Sequence, residues 1–363
     1  MRYKKFLALL LALTLVCGSL SGCASERQTE PAEPTVSFTD SLGRTVDIPE
    51  TLTRVAPSGA VASMFLATIA PEYMTTINAT PSSSQYKYLD PRLIDLPTTG
   101  QMYGSKSTLN LESILTSGAQ IVIDLGDKKD NMAADLDALQ RQIGMPVIFI
   151  EADLPHMAEA YRTLGNILSG KEARGEELAA FVEETVSMAK ENALKIQDSE
   201  RISVLYTSGS SGLNTNAKSS IQAQVLDLMG IENAAVVEDV SNKGGGNPIN
   251  LEQLYRFDPD VILFTAGSTY STAADDEAWQ PLRAIEAGRY YEIPSMPYNW
   301  LSNPPSLNML LGVWWLGNLL YPQYYAYDMV EKTQEMFRLL WSYDLSADEA
   351  RAMLANSTLK GTP

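Results

Sequence analysis

Histidine and cysteine are scarce in this sequence. His156 is the one histidine among 363 residues, and the two cysteines are Cys17 and Cys23. A zinc site built by the protein, or a cysteine–histidine nucleophile, needs more of these side chains than this chain holds. His156 follows Pro155 at a predicted helix start, where we interpret it as a solvated or capping residue. The sequence therefore excludes metal centres built from histidine and cysteine.

Two further catalytic signatures are missing. The run Gly209-Ser-Ser-Gly212 lacks the Gly-x-Ser-x-Gly spacing of a nucleophile elbow. The glycines at 244–246 do not belong to a phosphate-binding loop, because no Gly-Lys-Ser/Thr follows them. The acidic run at 275–277 is typical of a solvated face. We predict a protein that is not an enzyme and that carries no cofactor.

Basic side chains are also few. The chain has 27 lysines and arginines against 44 acidic residues, with a net charge of −17. Nucleic-acid binding depends on clustered positive charge, so this balance excludes it. Beyond the N-terminal segment no stretch is apolar enough to span a bilayer as one helix. Residues 307–320 come closest, but Asn308 and Asn318 interrupt them, and we interpret them as a core helix.

The N-terminus has the pattern of a secretory signal. Three basic residues precede an apolar run at 6–16, and Leu20-Ser-Gly-Cys23 resembles the bacterial lipobox. We predict that residues 1–22 are removed and that Cys23 becomes the lipidated first residue, which leaves no cysteine pair for a disulfide. Removal takes three of the 27 basic residues and none of the 44 acidic ones, so the net charge becomes −20. Residues 23–35 then form a flexible tether to the extracytoplasmic face of the cell membrane.

Apolar segments alternate between strand-like and helix-like periods along the chain. Residues 36–49 alternate around a Gly-containing turn, as a β-hairpin does. Helices are predicted between the later apolar runs, which predicts an α/β fold with parallel sheets covered on both faces. The further predicted strands lie near 75–77, 121–125, 146–150, 202–206, 236–238, 261–264 and 290–293.

The length and one long helical stretch predict two lobes. The 341 residues left after signal removal are too many for one ordinary core. Residues 171–196 contain no proline and predict a helix on the order of 40 Å long. We predict two Rossmann-like lobes joined by this rigid helix, with a ligand cleft between them. The predicted boundaries are an N-terminal lobe at 36–155, an inter-lobe helical linker at 156–200, and a C-terminal lobe with closing helices at 201–363.

One short pattern occurs twice. Asn110-Leu-Glu112 and Asn250-Leu-Glu252 each open an apolar helix that leads into a hydrophobic strand, and the copies align without a gap. Two matched carboxylates on two similar lobes suit a partner that is itself two-fold symmetric. The alternative is that asparagine caps each helix and glutamate favours its positive first turn. Both interpretations stay open on the residues alone.

Ligands of parallel sheets bind beyond the carboxyl ends of the strands. The loops at these ends are rich in glycine, hydroxyl, amide and aromatic residues, and two facing lobes would bring them into one cleft. Aromatic and cationic side chains suit a metal chelate, with Trp300 favoured for its Pro/Asn-rich loop, whereas hydroxyls and backbone N–H groups suit an oxyanion. The predicted ligand-binding residues are Ser58, Gly59, Tyr103, Lys128, Tyr206, Ser208, Lys243, Ser268, Tyr298 and Trp300.

A series of motifs extends over nearly the whole mature chain. Besides the two Asn-Leu-Glu repeats, they are Thr39-Asp-Ser-Leu-Gly-Arg-Thr-Val46, Gly165-Asn-Ile-Leu-Ser-Gly170, Asp258-Pro-Asp-Val261 and Pro304-Pro-Ser-Leu307. In this order they resemble the solute-binding components of bacterial ABC importers for iron–siderophore complexes, haem and cobalamin. The resemblance implies two lobes that are bridged by one long helix and move little on binding.

The resemblance also implies a function. A monomeric lipoprotein would capture a metal chelate of the ferric siderophore, haem or cobalamin type and deliver it to a dimeric permease with a cytoplasmic ATPase. Glu112 and Glu252 stand at the positions where the family engages arginines of the permease. A bare zinc or manganese ion is excluded because the chain lacks the histidines for it. Two alternatives stay open, an oxyanion such as molybdate or tungstate and a surface sensor or adhesion lipoprotein that reuses the fold.

Overall fold

The computed structural model describes residues 33–104, 108–242 and 245–358. The predicted signal peptide, Cys23 with residues 24–32 of the tether, and Lys243 lie outside these residues. None of the described helices is long and apolar enough to cross a membrane. From Thr35 onward the chain forms a hairpin and two α/β sheets. We call residues 35–170 the first half and residues 201–321 the second half.

The N-terminal hairpin forms as predicted. Strands β1 (Thr35–Thr39) and β2 (Thr45–Pro49) pair antiparallel. Asp40 organises the turn between them, because its Oδ1 accepts the backbone N–H groups of Leu42 and Arg44, both at 3.0 Å. The Arg44 guanidinium in turn donates to the carbonyl of Val147 at 2.8 Å, which fixes the hairpin to the first sheet.

The first sheet has three parallel strands, and each of them is mostly or wholly buried. Helix α1 covers one face and α2 and α3 cover the other, as expected for strands buried on both sides. The strand predicted near 75–77 is reduced to two isolated bridges, Val55–Met74 and Ile77–Thr98, because the segment pairs with two different partners and forms no continuous ladder. In chain order the elements are β3 (Val55–Pro57), α1 (Ala60–Ile69), α2 (Leu111–Thr116), β4 (Ile121–Gly126), α3 (Met132–Ile143) and β5 (Val147–Glu151).

Two helices follow the first sheet and cross closely. They are α4 (Met157–Ile167) and α5 (Glu172–Ala193), and the 22 residues of α5 correspond to about 33 Å. The crossing point is Gly165 against Gly175, where an added Cβ on Gly175 would lie 2.6 Å from the Tyr161 carbonyl oxygen. Two glycines therefore let the helix backbones touch, and α5 leads from the first half to the second.

The second sheet is mixed, and four of its strands form parallel pairs. Its strands are β6 (Ser203–Ser208), β7 (Asn214–Thr215), β8 (Glu232–Asn233), β9 (Asn247–Pro248), β10 (Val261–Phe264) and β11 (Tyr290–Glu292). The order is β11-β10-β6-β7-β9, with β8 beside β6 and with β7 and β9 antiparallel to their neighbours. The short helices of this half are α6 (Gln224–Leu228), α7 (Leu251–Phe257) and α8 (Arg283–Glu286).

The strand predicted at 236–238 is not formed. Pairing takes place slightly earlier, in β8, and stops at Asn233. The Asn233 Oδ1 accepts the backbone N–H of Ala235 at 3.0 Å, and this turn directs the chain away from the sheet. Val236 is consequently 67% exposed, although its neighbours have strand-forming composition.

Three helices end the described chain, and the last two of them return to the first half. The three are α9 (Asn308–Leu320), α10 (Met329–Trp341) and α11 (Ala347–Leu354). On α10 the ring of Phe337 packs 5.4 Å from that of Tyr88, and the carbonyl of Leu339 accepts Arg174 Nη2 at 2.5 Å. The chain therefore connects its halves twice, through α5 and through this return.

One apolar core spans both sheets. It contains side chains from one face of the first sheet, such as Ile123, and from one face of the second, such as Leu263. Helices α1, α4, α5, α9 and α10 contribute to the same cluster, while the opposite faces of the sheets have separate clusters. Because packed interiors are dense, this shared core opposes large movements of one half against the other.

Candidate ligand-binding site

A cavity of about 580 Å³ lies between the two halves. Its first-half wall is built at the ends of β3 and β4, where carboxyl ends of parallel strands commonly meet ligands. The lining residues include Ser58, Gly59, Tyr103, Asp124, Asp127 and Lys129 from the first half. From the second half they include Ile221, Gln222, Asn242, Asn303 and Pro304.

Asp124 is a buried carboxylate on the cavity wall. It lies in β4 and is 5% exposed, and its Oδ1 accepts a short hydrogen bond from the Ser58 hydroxyl. Its Oδ2 has no hydrogen-bond partner among the described residues. Burial raises the pKa of Asp124 to about 6, although the Ser58 hydroxyl and the Lys129 charge act in the opposite direction. The Leu125 N–H also lowers this pKa, but it does not form a hydrogen bond with Oδ2.

Gln222 presents a second buried acceptor from the opposite wall. It lies in the turn Ile221–Ala223 and is 3% exposed. Its Nε2 donates to the carbonyl of Asn242 at 3.1 Å, which sets the orientation of the amide. Its Oε1 is left without a partner among the described residues. The lining residues of the first half thus have two buried oxygens without a partner among the described residues, Asp124 Oδ2 and the Tyr103 hydroxyl, and those of the second half have Gln222 Oε1.

Lys129 is the lysine that the structure places at this cavity. Its Nζ donates to the carbonyl of Asp127 at 2.9 Å, lies 3.3 Å from the Asp127 carboxylate, and sits 5.2 Å from the ring centre of Tyr103. Burial, with the nearby charge of Asp124, raises the pKa of Tyr103 above its usual range, so its hydroxyl stays protonated. Lys128 points elsewhere and pairs with Glu151 at 2.7 Å.

A smaller cavity of about 390 Å³ adjoins the end of β6. Its described lining is electrically neutral and consists of hydroxyl, amide and small residues, among them Ser208, Asn214, Thr265, Ser295 and Asn299. The Ser208 hydroxyl is buried and has no partner among the described residues. Asn303 lines both cavities, so the two spaces meet at this residue.

Comparison with known proteins decides the family. Residues 56–297 match the family described as periplasmic binding protein. The chain belongs to this family. Proteins of the family bind solutes and are not enzymes, and this periplasmic binding protein is of the ABC-transporter type with a small-molecule ligand. The family resemblance and the α/β fold predicted from the sequence are thereby confirmed.

Three relatives illustrate the match. The Fe(3+)-citrate-binding protein YfmC of Bacillus subtilis is 23% identical over 297 residues, covering 79% of this chain and 89% of the relative. An ABC transporter solute binding protein from Sulfurospirillum deleyianum superposes with a TM-score of 0.80 at 25% identity, covering 88% of this chain and 99% of its own. The molybdate periplasmic binding protein MolA of Haemophilus influenzae shares the fold, with a TM-score of 0.69, 16% identity and coverage of 86% and 99%.

Two predicted aromatic ligand contacts lie in the core of this periplasmic binding protein. Trp300 and Tyr206 are both 0% exposed. The Trp300 Nε1 donates to the carbonyl of Met296 at 2.9 Å, and the Tyr206 hydroxyl lies 2.9 Å from Ser302 Oγ. The loop containing Trp300 packs closely against α9 because Gly312 has no side chain. A Cβ added to Gly312 would lie 2.3 Å from the Trp300 carbonyl oxygen. Neither residue is among those that line the larger cavity or the smaller one, and contact of either ring with a ligand stays a prediction.

The other predicted residues divide between wall and periphery. Ser58, Gly59 and Tyr103 line the larger cavity and Ser208 lines the smaller one. Tyr298 packs half-buried against the core, and burial raises its pKa to about 12. The linings of the two cavities include neither Tyr298 nor Ser268. Lys243 lies outside the described residues.

Sequence reasoning missed Asp124, Gln222 and Lys129. Asp124 interrupts an apolar strand, Ile121-Val-Ile-Asp-Leu125, and an acidic residue in a fully buried strand was the available signal. Gln222 and Lys129 had no comparable signal, because their orientation depends on the loops around them.

The two Asn-Leu-Glu helices have similar local geometry. The Asn110 side chain accepts the Ser113 N–H at 3.2 Å in α2, and the Asn250 side chain accepts the Gln253 N–H at 2.9 Å in α7. The capping interpretation is therefore correct for both asparagines. Both glutamates are exposed, and Glu252 also accepts Arg256 Nη2 at 2.9 Å. Three positions after each glutamate stands an exposed apolar side chain, with Leu115 52% and Tyr255 41% exposed.

The single histidine belongs to a surface cluster at the start of α4. Glu151, Asp153 and His156 are close enough to hold a metal ion in principle. Lys128 already pairs with Glu151, and the His156 ring is hydrogen-bonded to Asp153 beside solvent. This arrangement fits the solvated role predicted for His156.

Proposed function

We propose that this periplasmic binding protein is the solute receptor of an ABC importer and that it captures a metal chelate in the larger cavity. The main support for this proposal is the cavity itself, which is lined by both halves and has a volume typical of small-molecule sites. A chelate that contacts both walls would be held by polar groups at its periphery. The ferric citrate named for YfmC belongs to this ligand class.

The chemistry of the wall favours a chelated metal over a bare ion. The described lining residues include the carboxylates Asp124 and Asp127 but neither histidine nor cysteine. Transition-metal sites of proteins usually use imidazole or thiolate nitrogen and sulfur ligands. A metal that arrives inside an organic chelator brings its own ligands, so the wall needs to recognise only the chelator.

Docking to the permease uses the matched helices α2 and α7 in this proposal. Leu111, at the start of α2, lines one surface pocket together with Tyr103, and Tyr103 also lines the larger cavity. Helix α7 begins just after β9. Strand β9 pairs with β7, and β7 pairs with the end of β6 near the smaller cavity. Both helices therefore begin on the side of their sheets where the cavities lie. A two-fold permease that contacts Glu112 and Glu252 would lie close to the released ligand.

The lipid anchor is part of the same proposal. Cys23 follows the predicted signal peptide in Leu20-Ser-Gly-Cys23, and residues 24–32 separate it from the described chain. A net charge of −20 after signal removal does not favour adsorption to an anionic membrane surface, so an acyl group would hold the protein there. Mass spectrometry of membrane-extracted protein tests this, and an unmodified Cys23 would refute it.

Calorimetric titration tests the ligand class. We expect at least one ferric siderophore, ferric citrate, haem or cobalamin to bind with one-to-one stoichiometry. Ala60→Trp fills the larger cavity, which Ala60 lines, and should abolish this binding. Ala134→Trp, at an exposed position of α3, is the matched control and should bind normally. Undiminished binding to the Ala60→Trp protein would place the ligand elsewhere.

An oxyanion is the second candidate ligand. The smaller cavity favours it, because its described lining is neutral and rich in hydroxyl and amide groups. MolA is named for molybdate, which shows that this fold can hold such a ligand. If molybdate or tungstate binds in the titration and the chelates do not, the metal-chelate proposal fails and the oxyanion replaces it.

A further inference from the structure

We infer that the first-half wall of the larger cavity recognises a hydrogen-bond donor or a cationic group on the ligand, with Asp124 as its receptor. The inference rests on the proposed function, because it assumes that a chelate occupies this cavity. It specifies which chemical groups on the surface of the chelate the protein recognises. Amide, hydroxyl or ammonium groups would satisfy it, and a carboxylate-rich surface would not.

The first argument is the position of the Asp124 oxygens. Ser58 donates to Oδ1 and thereby holds the carboxylate in one orientation. Oδ2 is buried without a partner among the described residues, in a side chain that lines the cavity. A buried acceptor without a donor is destabilising, so native proteins seldom keep one unless a water or ligand satisfies it. A donor on the ligand would complete the site.

The second argument is that the opposite wall of the cavity also contains a buried hydrogen-bond acceptor. Gln222 Oε1 is also buried without a partner among the described residues, while its Nε2 donates to the Asn242 carbonyl. A ligand with donor groups on two sides would satisfy both oxygens. Because the oxygens belong to different halves, such a ligand would bridge them.

The third argument is the charge around Asp124. The ionisable groups of the described lining are Asp124, Asp127, Lys129 and Tyr103. Lys129 is already engaged by Asp127 and by the Tyr103 ring, which leaves Asp124 without a close ion-pair partner in this part of the chain. The lining residues described for α1 and for the second-half wall carry no ionisable side chain. An anionic ligand face would therefore meet a carboxylate at this wall whose charge Lys129 compensates only in part.

Two ferric trishydroxamates provide the probes. Ferrioxamine B is linear and has a pendant ammonium group, whereas ferrioxamine E is cyclic and has none, with the same iron coordination. Ferric citrate is the carboxylate-rich comparison. We expect the mature wild-type chain to bind ferrioxamine B more tightly than ferrioxamine E, and both more tightly than ferric citrate, in calorimetric titrations at neutral pH.

The matched variants are Asp124→Asn and Asp130→Asn. Asparagine keeps the shape of Asp124 and its bond with Ser58, but it loses the charge. We expect it to weaken ferrioxamine B binding roughly tenfold or more and to abolish the preference over ferrioxamine E. Asp130 is an exposed acid in the loop that follows β4, and its variant changes the net charge equally. The Asp130→Asn protein should keep the wild-type preference.

A measurement on the wild-type protein tests the same inference without a substitution, so misfolding of the variant does not affect it. Protonation of Asp124 would remove its charge, so ferrioxamine B affinity should fall between about pH 7 and about pH 5, and ferrioxamine E affinity should fall less. Tighter binding of ferric citrate than of ferrioxamine B would overturn the inference and leave the proposed function intact. If none of the three chelates binds, the inference fails, and the metal-chelate proposal fails with it only if the other ferric siderophores, haem and cobalamin do not bind either.

Discussion

At the scale of single residues, Asp124 shows how a residue of the proposed binding wall can oppose stability. A carboxylate in a buried strand loses its hydrogen bonds with water, and the hydrogen bond from Ser58 replaces only part of that stabilisation. This conflict is visible in the raised pKa of Asp124, which burial moves from 3.8 to about 6. The folded protein therefore holds a proton on Asp124 more tightly than the unfolded chain does.

The consequence is a defined pH dependence of the unfolding free energy. Between about pH 4 and about pH 6 the folded state binds more protons at Asp124, so stability falls as the pH rises through this window and is level above it. The change amounts to about 3 kcal/mol. We expect Asp124→Asn to remove this contribution and to raise stability at neutral pH in urea unfolding of the ligand-free protein.

Asp130→Asn is the control for this prediction, because that carboxylate is exposed. Its unfolding midpoint should stay near the wild-type value at each pH. An Asp124→Asn protein that is less stable than wild type at neutral pH would show that a charged partner compensates the buried carboxylate.

At the scale of elements, the crossing of α4 and α5 depends on two glycines. Alanine is normally better than glycine inside a helix by about 1 kcal/mol. At Gly175 the new Cβ would lie 2.6 Å from the Tyr161 carbonyl oxygen and 2.8 Å from the Gly165 Cα, and backbone atoms cannot move aside alone. The whole crossing would have to open, and α5 is one of the two connections between the halves.

We therefore expect Gly175→Ala to reverse the ordinary preference and to destabilise the protein by roughly 1–3 kcal/mol, as overpacking does. Thermal unfolding followed by circular dichroism measures this. Gly245→Ala is the matched control, since nothing lies within 4 Å of its added Cβ, and it should change the melting temperature little. A Gly175→Ala melting temperature at or above that of the wild type would contradict the close crossing.

At the scale of the whole molecule, the two halves present matched surfaces on a common core. Glu112 with Leu115 on α2 corresponds position by position to Glu252 with Tyr255 on α7. Each pair combines an exposed carboxylate with an exposed apolar side chain on one helix face, since residues three apart are neighbours. The shared core limits relative movement of the halves, so the separation of the two surfaces would change little on binding.

Charge reversal tests the docking of these surfaces. Exposed ion pairs contribute about 0.2–1 kcal/mol each, so Glu112→Lys and Glu252→Lys together should lower uptake roughly two- to thirtyfold, and each alone should lower it less. Ligand affinity of the purified protein should not change. The double variant Glu184→Lys and Glu191→Lys, on exposed positions of α5, is the charge-matched control. Uptake equal to wild type in the Glu112/Glu252 double variant would refute the docking role.

Much of the fold follows from local properties of the chain. Strands such as Ile121–Gly126 and Val261–Phe264 are predicted because apolar runs and helix caps are read from neighbouring residues. The failure at 236–238 has a local cause as well, the turn made by Asn233, but asparagine forms such turns only in some settings. The scarcity of histidine likewise excludes a class of metal site whatever the fold.

The composition of the binding wall was decided by the tertiary structure. Lys128 and Lys129 are adjacent and of the same type. Lys128 nevertheless pairs with Glu151, whereas Lys129 lines the cavity beside Tyr103. Trp300 lies in a loop of polar composition, yet that loop packs beneath α9. Side chains one residue apart leave a loop in different directions, and their partners come from distant segments. Composition and periodicity therefore determined the elements and the excluded chemistry, whereas long-range packing selected the residues that can meet a ligand.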